Sequence, residues 1–481
     1  MKIRKNKKLQ LYSAWQESLS MIVFISSFLA LFGCKKLLDV PKSSSLVLSK
    51  DVFANNETAT SAVLGLYNKM VTLNLSMTNG GLSIYPALSA DELYSTSAHS
   101  GYDPFSINDV PAANAINNSN FWTTGYKNIY HANSILEGLN ASTEITDTVK
   151  NQLRGETLVI RALYFFYLTN LFGDVPLVLS TNFEQNAVMS RTLQKTIIGQ
   201  LIIDLKEAVS LLTPAYATTT RARVNSFAAR ALLSRVYLYN REWNEAESEA
   251  TALISSGLYS LENVLDKTFI STSNETIWQL ARETLNTAEA AVFIPVSKTA
   301  LPSIVIRNEL LNIFEAGDKR KQHWIAFNSV NGQLYYYPYK YKIRTGSNVG
   351  EYLVVFRLAE QYLIRAEARA EMNNLTGAIE DLNIVRARSR SLATIDIPDP
   401  LPSLSLDLDK SELVEAVYKE RVTELFCEWG HRWLDLKRSG MADKVISKFK
   451  PNWKVGAELY PIPFAETQIN IYLTQNPGYA N

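Results

Sequence analysis

The sequence predicts a mainly α-helical protein: a scaffold of paired antiparallel helices, interrupted by a lobe of loops and short strands. Three observations carry this expectation. Long segments place apolar residues three and four apart, which puts them on one face of a helix. Two of those segments share one pattern at an offset of 132 residues. Between the two repeats the helical spacing gives way to strand-like alternation.

The elements follow in chain order. Beyond Asp51, Asn56 and Glu57 can open a helix whose apolar stripe is Ala59, Ala62, Val63, Leu66, Tyr67 and Met70. Residues 72–120 are dominated by Gly, Ser, Asn and Pro, with Tyr85, Tyr94, His99, Tyr102 and Phe105 scattered among them. This composition predicts a long decorated loop region of the kind that carries function. A second helix is expected over Trp122–Leu139. A third, Leu153–Phe172, is apolar nearly all round and therefore buried. Gly173 ends it and Pro176 blocks its restart, leaving Val175–Val178 extended. Arg154 and Arg161 lie two turns apart on one face, as ion-pair partners would. Thr192–Leu212 reads as a further amphipathic helix.

The repeats come next. Phe227–Ile254 and Leu358–Arg388 each read as an Ala-rich helix, a short turn and a second helix. Trp243 falls on Leu375, Ala246 on Ala378 and Leu253 on Val385. Small residues at a helix crossing and a large apolar residue at the turn look like tetratricopeptide units. The region between them, roughly 257–352, alternates like a strand at Thr276–Leu280 and at Leu334–Lys342, and is rich in Thr, Ala and Pro over Thr284–Ile306. A helix over Ser411–Lys437 and a Pro-rich tail close the chain.

The amino terminus carries a basic head (Lys2, Arg4, Lys5, Lys7, Lys8) and an apolar run from Met21 to Phe32. That run falls short of the roughly 20 residues a membrane span requires and suits the core of a signal peptide. Gly33-Cys34 at its end resembles the lipobox of bacterial lipoproteins. In that class the segment equivalent to residues 1–33 is removed and the Cys34 thiol is lipidated. Residues 34–50 then form a Ser-rich tether, with Leu37, Leu38 and Val40 able to dock, and 51–481 a single domain. Removing the signal takes the formal charge from +1 to about −3 and leaves no dense basic block, which argues against nucleic acid as a partner. With only two cysteines, lipidation of Cys34 leaves Cys427 alone and no intramolecular disulfide.

The chain shows no HExxH, GxSxG, CxxC, GxGxxG or GxxxxGK[ST] pattern, and His99, His131, His323 and His431 lack metal-ligand spacing. No cofactor is expected. Glu420, Arg421, Glu424, Arg432 and Asp435 resemble a catalytic group on paper, but their helical spacing beside Trp433 fits a buried ion network better. Aromatic residues make up 11% of the chain, with 24 Tyr and 8 Trp. Such rings suit the flat C–H face of a sugar, and polar neighbours suit its hydroxyls. The candidate ligand residues are Tyr94, His99 and Tyr102 in the first loop region, and Trp324, Tyr335 and Tyr336 in the second. Alternation sets Tyr335, Tyr337, Tyr339 and Tyr341 on one strand face and Tyr336 on the other, with Pro338 marking an edge. Tyr341 is assigned to the framework.

Several blocks together resemble the SusD/RagB family of outer-membrane nutrient-binding lipoproteins. They are Cys34 with Leu37-Leu38-Asp39-Val40-Pro41, Arg154–Val178, Arg357–Arg388, Glu420–Arg438, Tyr460-Pro461-Ile462-Pro463, and Gln475–Tyr479. Within the fourth block, Trp429 stands where many members have Glu and Gly adjacent. The resemblance implies four tetratricopeptide-like helix pairs that pack on a TonB-dependent transporter of the SusC type. It also implies an opposite face of loops and small strands, here regions 72–120 and 257–352, that captures a glycan or, in some members, a peptide, without catalysis. Only Asp39 is acidic near Lys35-Lys36, so an outward-facing position on the outer membrane rests on the resemblance. The rival expectations are an enzyme and a purely adaptor role for the helix pairs.

Overall fold

The structure, a computed structural model, describes residues 49–96, 101–282, 284–346, 349–454 and 456–479. The chain separates into residues 1–51 and a compact unit from Val52 to Asn481. Of the former, only the beginning of a helical turn, Ser49–Val52, is described. The basic head, the apolar run, Cys34 and the tether up to Leu48 lie outside the described residues.

The second unit is a sequential stack of helices: α1 (Asn56–Thr72), α2 (Leu82–Ser89), α3 (Thr124–Ala141), α4 (Asp147–Phe172), α5 (Gln194–Leu211), α6 (Ser226–Tyr239), α7 (Trp243–Ile254), α8 (Leu358–Glu371), α9 (Leu375–Ser389), α10 (Lys410–Leu425) and α11 (His431–Arg438). From α3 to α9 each packs on the next, and α10 packs on both α8 and α9. The start of α1 is fixed by Asn55, whose side-chain oxygen accepts from the amides of Glu57 and Thr58 at 3.0 and 2.9 Å. The expected stripe then turns inward through Ala59, Val63, Leu66 and Met70.

α4 is the axis of the core. Every residue from Gly155 to Thr169 is buried, as its all-round apolarity predicts. Its charged members are there because they are paired: Arg161 forks onto Asp204 of α5 at 2.8 and 2.9 Å, and Glu156 takes Arg223 at 2.6 Å. Arg154 reaches Glu207 at 2.5 Å, so both arginines singled out in the sequence tie α4 to α5. Gly173 ends the helix at φ +75°, and Val175 bridges to Thr192.

The offset repeat holds at the level of the backbone. α6 and α8 begin and end at equivalent positions, as do the starts of α7 and α9. Each turn contains one left-handed residue, Arg241 at φ +60° and Asn373 at φ +63°. Each is closed by matching bonds, from the Glu242 amide to the Tyr237 carbonyl (2.9 Å) and from the Asn374 amide to the Arg369 carbonyl (2.8 Å). Ala246, Ala378, Leu253 and Val385 are all fully buried.

Between α7 and α8 lies the strand-bearing lobe. Its strands, counted with one from the early region, are β1 (Leu93–Ser95), β2 (Thr276–Leu280), β3 (Ile304–Ile306), β4 (Ile325–Val330), β5 (Gln333–Pro338) and β6 (Leu353–Arg357). They form three antiparallel ladders, β1–β3, β2–β6 and β4–β5, and β3 lies against β5. β6 runs straight into α8, so the buried β2–β6 ladder roots the lobe in the scaffold.

Two expectations are overturned. The first concerns residues 72–120, where Ser76–Leu93 form a buried hub containing α2. The turn-forming residues there serve close packing: a Cβ on Gly81 would lie 2.6 Å from the carbonyl oxygens of Leu75 and Ser76. Asn79 donates to the carbonyls of Val71 and Leu73, and Tyr85 packs among Phe105 and Phe121. Gly, Asn and Ser mark tight backbone approach as readily as they mark exposed loop. The second concerns Ser411–Lys437, which is not one helix but α10 and α11. Cys427, Trp429 and Gly430 between them take left-handed φ values of +53°, +45° and +71°. A Cβ on Gly430 would stand 3.0 Å from Pro86 of α2, and the Trp429 indole donates to the Val354 carbonyl at 2.6 Å. The break thus locks α10–α11 onto the hub and onto β6.

The break also turns α10 acids toward the lobe, where the expected ion network forms. Glu424, fully buried, accepts from Arg320 at 2.8 Å, from Arg357 at 2.5 Å and from Arg388. Glu428 takes Arg357 and Lys340, Glu275 takes Arg357 and Arg388, and Glu420 takes Arg320. Burial alone would raise the Glu424 pKa; the three guanidiniums outweigh it and hold the carboxyl well below its ordinary value. Arg421 pairs with Asp435 and Arg432 with Asp91, so all five residues of the paper cluster are structural. Cys427 is a free, buried thiol whose pKa burial pushes well up, with the Glu92 carboxylate adding to the effect.

Candidate ligand-binding face

β1, β3, β4 and β5 carry the exposed and half-buried rings. The β4–β5 hairpin is closed by Asn331-Gly332, both left-handed at φ +52° and +82°. This is the two-residue turn whose twist matches paired strands. Asn328 on β4 donates to the carbonyls of Ser297 and Ala300 at 2.8 and 2.7 Å, which ties the preceding loop to the hairpin. The lobe is therefore a stiff platform rather than a free flap.

Register divides the rings. Tyr336 pairs with Phe327, their centroids 5.6 Å apart, on a face that also carries Leu334; Phe327 is 56% exposed. Tyr335 pairs with Asn328 on the opposite face, as alternation predicts. Tyr94 on β1 stands opposite Val305 on β3. Burial raises its pKa, and the Tyr335 hydroxyl adds to the rise; β3, the partner of β1, lies against β5, the strand that carries Tyr335. Beside them the Arg307 guanidinium lies over the ring of Tyr94 at 5.5 Å and over that of Phe449 at 5.3 Å. Its Nε donates to the Leu93 carbonyl at 3.1 Å. Tyr102, half-buried, packs with its centroid 6.1 Å from that of Tyr85. His99 lies outside the described residues.

Trp324 is corrected. It is fully buried, and its indole N–H donates to the Leu265 carbonyl at 3.2 Å. Its ring underlies Lys340, Arg357 and Arg388 at the edge of the ion network. It is a framework ring, because the turn after Lys319–His323 aims it inward while β4 starts only at the next residue. Tyr341 is likewise buried, its hydroxyl accepting from the Val354 amide at 3.0 Å, in keeping with its framework assignment. The sequence reading missed Phe327, Arg307 and Phe449. The Asn-Gly pair between two apolar-polar alternations was the signal that could have found β4 and hence Phe327. The other two come from distant segments and carry no local signature.

Chemically this face offers rings for stacking, phenols and a guanidinium edge for hydrogen bonding. A cavity of about 680 Å³ is lined by Tyr239, Trp243, Tyr418 and Arg438 among others, between α6, α7, α10 and α11. It belongs to the scaffold rather than to the ringed face. Among the described residues, no three of His, Cys, Asp and Glu gather as a metal site, and no helix is long and apolar enough to cross a membrane.

Comparison with known proteins agrees with this architecture. Residues 38–238 match a SusD-like family described as starch-binding and associating with the outer membrane, and residues 325–479 match the SusD family. A SusD-like protein of Formosa agariphila, P25, is 24% identical over 96% of this chain and 99% of its own length. Among solved structures, a SusD superfamily protein from Bacteroides vulgatus superposes with a TM-score of 0.77 at 21% identity, covering 88% of this chain and 99% of that one. A laminarin-binding SusD-like protein superposes at 0.71 with 24% identity, covering 88% and 100%. With the lobe rooted between tetratricopeptide-like pairs, the chain belongs to the SusD/RagB family of carbohydrate-binding proteins.

Proposed function

We propose that this protein is an outer-membrane lipoprotein, anchored through Cys34 and facing the cell exterior. It captures a glycan on the face built by β1, β3, β4 and β5 and delivers it to a TonB-dependent transporter of the SusC type. It acts by binding and catalyses no reaction. The observation that carries the reading is the division of rings: Trp278, Trp324 and Trp433 are fully buried, whereas Tyr94, Tyr335, Tyr336 and Phe327 keep surface on a stiff strand platform. Exposed rings held by a ladder lose little entropy when a sugar stacks on them. Anchoring through acyl chains leaves the body free to stay beside a transporter without a membrane span.

The test is titration of residues 35–481 against a panel of neutral and acidic polysaccharides and peptides. Saturable glycan binding that weakens in Tyr94→Ala and Tyr336→Ala supports capture at this face, with Tyr102 as a weaker contributor. Peptide binding alone would move the ligand class. If nothing binds while the chain co-purifies with a barrel transporter, the helix pairs act as an adaptor only. Acyl mass on Cys34 in the full-length protein, absent in Cys34→Ser, tests the anchor.

A further inference from the structure

We propose that Arg307 is the anion-recognition element of this ligand face and that the captured glycan carries carboxylate or sulfate groups. The inference rests on the glycan-capture reading and narrows it to a substrate class.

Arg307 is half-buried and held on three sides. The rings of Tyr94 and Phe449 lie against its guanidinium at 5.5 and 5.3 Å, and its Nε is committed to the Leu93 carbonyl at 3.1 Å. Its two terminal nitrogens make no hydrogen bond or ion pair with any described residue. Other arginines taken out of water here, such as Arg235, Arg320, Arg357 and Arg421, each bind a carboxylate. Burying a guanidinium without its partner costs free energy, and burial does lower the Arg307 pKa from its ordinary value.

The nearest acids are not available to repay that cost. Asp91 is forked onto Arg432 at 2.7 and 2.6 Å. Glu92, pushed up to about 8 by burial and by the Asp91 charge, is mostly uncharged at neutral pH. Glu309 acts on Arg307 only through the electrostatic field and forms no ion pair with it. No described carboxylate therefore takes the terminal nitrogens of Arg307, and the two flanking rings and the Nε bond hold its donor edge beside the Tyr94 ring. A guanidinium fork matches the paired oxygens of a carboxylate or a sulfate. A pyranose stacked on Tyr94 would bring an acidic substituent within reach of that edge.

The test uses residues 35–481 and three probes: polygalacturonate, its methyl ester and a sulfated galactan. The carboxylate arm expects polygalacturonate to bind about tenfold or more tighter than its ester, the size of one charge-assisted contact. The sulfate arm expects the sulfated galactan to bind while polygalacturonate does not. In either arm, Arg307→Gln should reduce affinity for the acidic probe about tenfold, with Arg307→Lys between the two. Comparing ester with free acid on the unaltered protein keeps the proposal open to refutation should Arg307→Gln fail to fold. Preference for a neutral glycan such as laminarin, or acidic binding undiminished in a folded Arg307→Gln, overturns the proposal and leaves glycan capture standing. Absence of binding to every glycan overturns both.

Discussion

The ion joint beneath the lobe and the ringed hairpin at its edge use similar residues to opposite ends. At the joint, Glu424 is fully buried against three arginines, and Trp324 is sealed over them. At the hairpin, Phe327 and Tyr336 pair across two strands and still keep surface, and Arg307 keeps a donor edge unpaired. Only a few residues separate Trp324 from Phe327, so local composition does not distinguish them. The difference is satisfaction. A region whose charges and rings are fully partnered holds position, and one that leaves them partly unpartnered has something to offer a ligand.

That contrast can be broken from the joint side first. Glu424→Ala should destabilise the protein by about 3–5 kcal/mol, because it takes from Arg320, Arg357 and Arg388 the one carboxylate all three share in a buried site. Chemical denaturation measures it; a loss under about 1 kcal/mol would mean that the arginines find water and the joint is not sealed. Trp324→Ala should cost a similar ~3–5 kcal/mol through its cavity. If it instead leaves stability intact and abolishes glycan binding, Trp324 is a ligand residue after all.

On the hairpin the expected balance reverses. Tyr336→Ala should cost binding about 1–2 kcal/mol while shifting stability little. Equal losses in calorimetric affinity and in melting temperature would show the ring to be framework. Gly332→Ala, at φ +82°, should destabilise by about 1 kcal/mol and blur the hairpin register, visible in hydrogen exchange of Phe327 and Tyr336.

The pH response separates joint from hub with opposite signs. At the joint, burial would raise the Glu424 and Glu428 pKa values, but the facing cations lower both. Their stabilisation is therefore present above the usual carboxylate pKa of about 4.5 and is lost as pH falls through the depressed values. In the hub, burial raises Glu92 to about 8, and it raises Glu289, which accepts from Ser83 of the hub, to about 7. Their contribution is complete below about 4.5 and declines as pH rises through 7 and 8. Glu92→Gln should flatten the alkaline fall in melting temperature and leave the acid limb unchanged. A fall of the same steepness in the variant would place its cause elsewhere.

Much of the scaffold was legible because its signals are local. The all-round apolarity of α4, the Gly173-Pro176 stop and the offset repeat each reside in a short window, and the two repeat turns form matching bonds. The hub was misread because Gly80, Gly81 and Asn79 look alike whether they face water or another backbone. The α10–α11 break was missed because nothing in Phe426–Gly430 opposes a helix strongly enough before Pro86 and Val354 arrive against it. For the ligand face, alternation sorted Tyr335 from Tyr336 correctly but did not report the depth of Trp324.

By itself, the sequence determined the helical class, the repeated pair, the lobe inserted between its copies and the family resemblance. All of these follow from periodicity, capping residues and motif order, which act over a few turns of chain. The tertiary structure alone decided which rings keep surface and that the terminal nitrogens of Arg307 bond no described residue. Tyr94, Arg307 and Phe449 come from segments far apart in sequence, and their burial is set by β1 meeting β3 and by the tail folding back against Arg307. Solvation is a property of the assembled surface, and no single segment carries it.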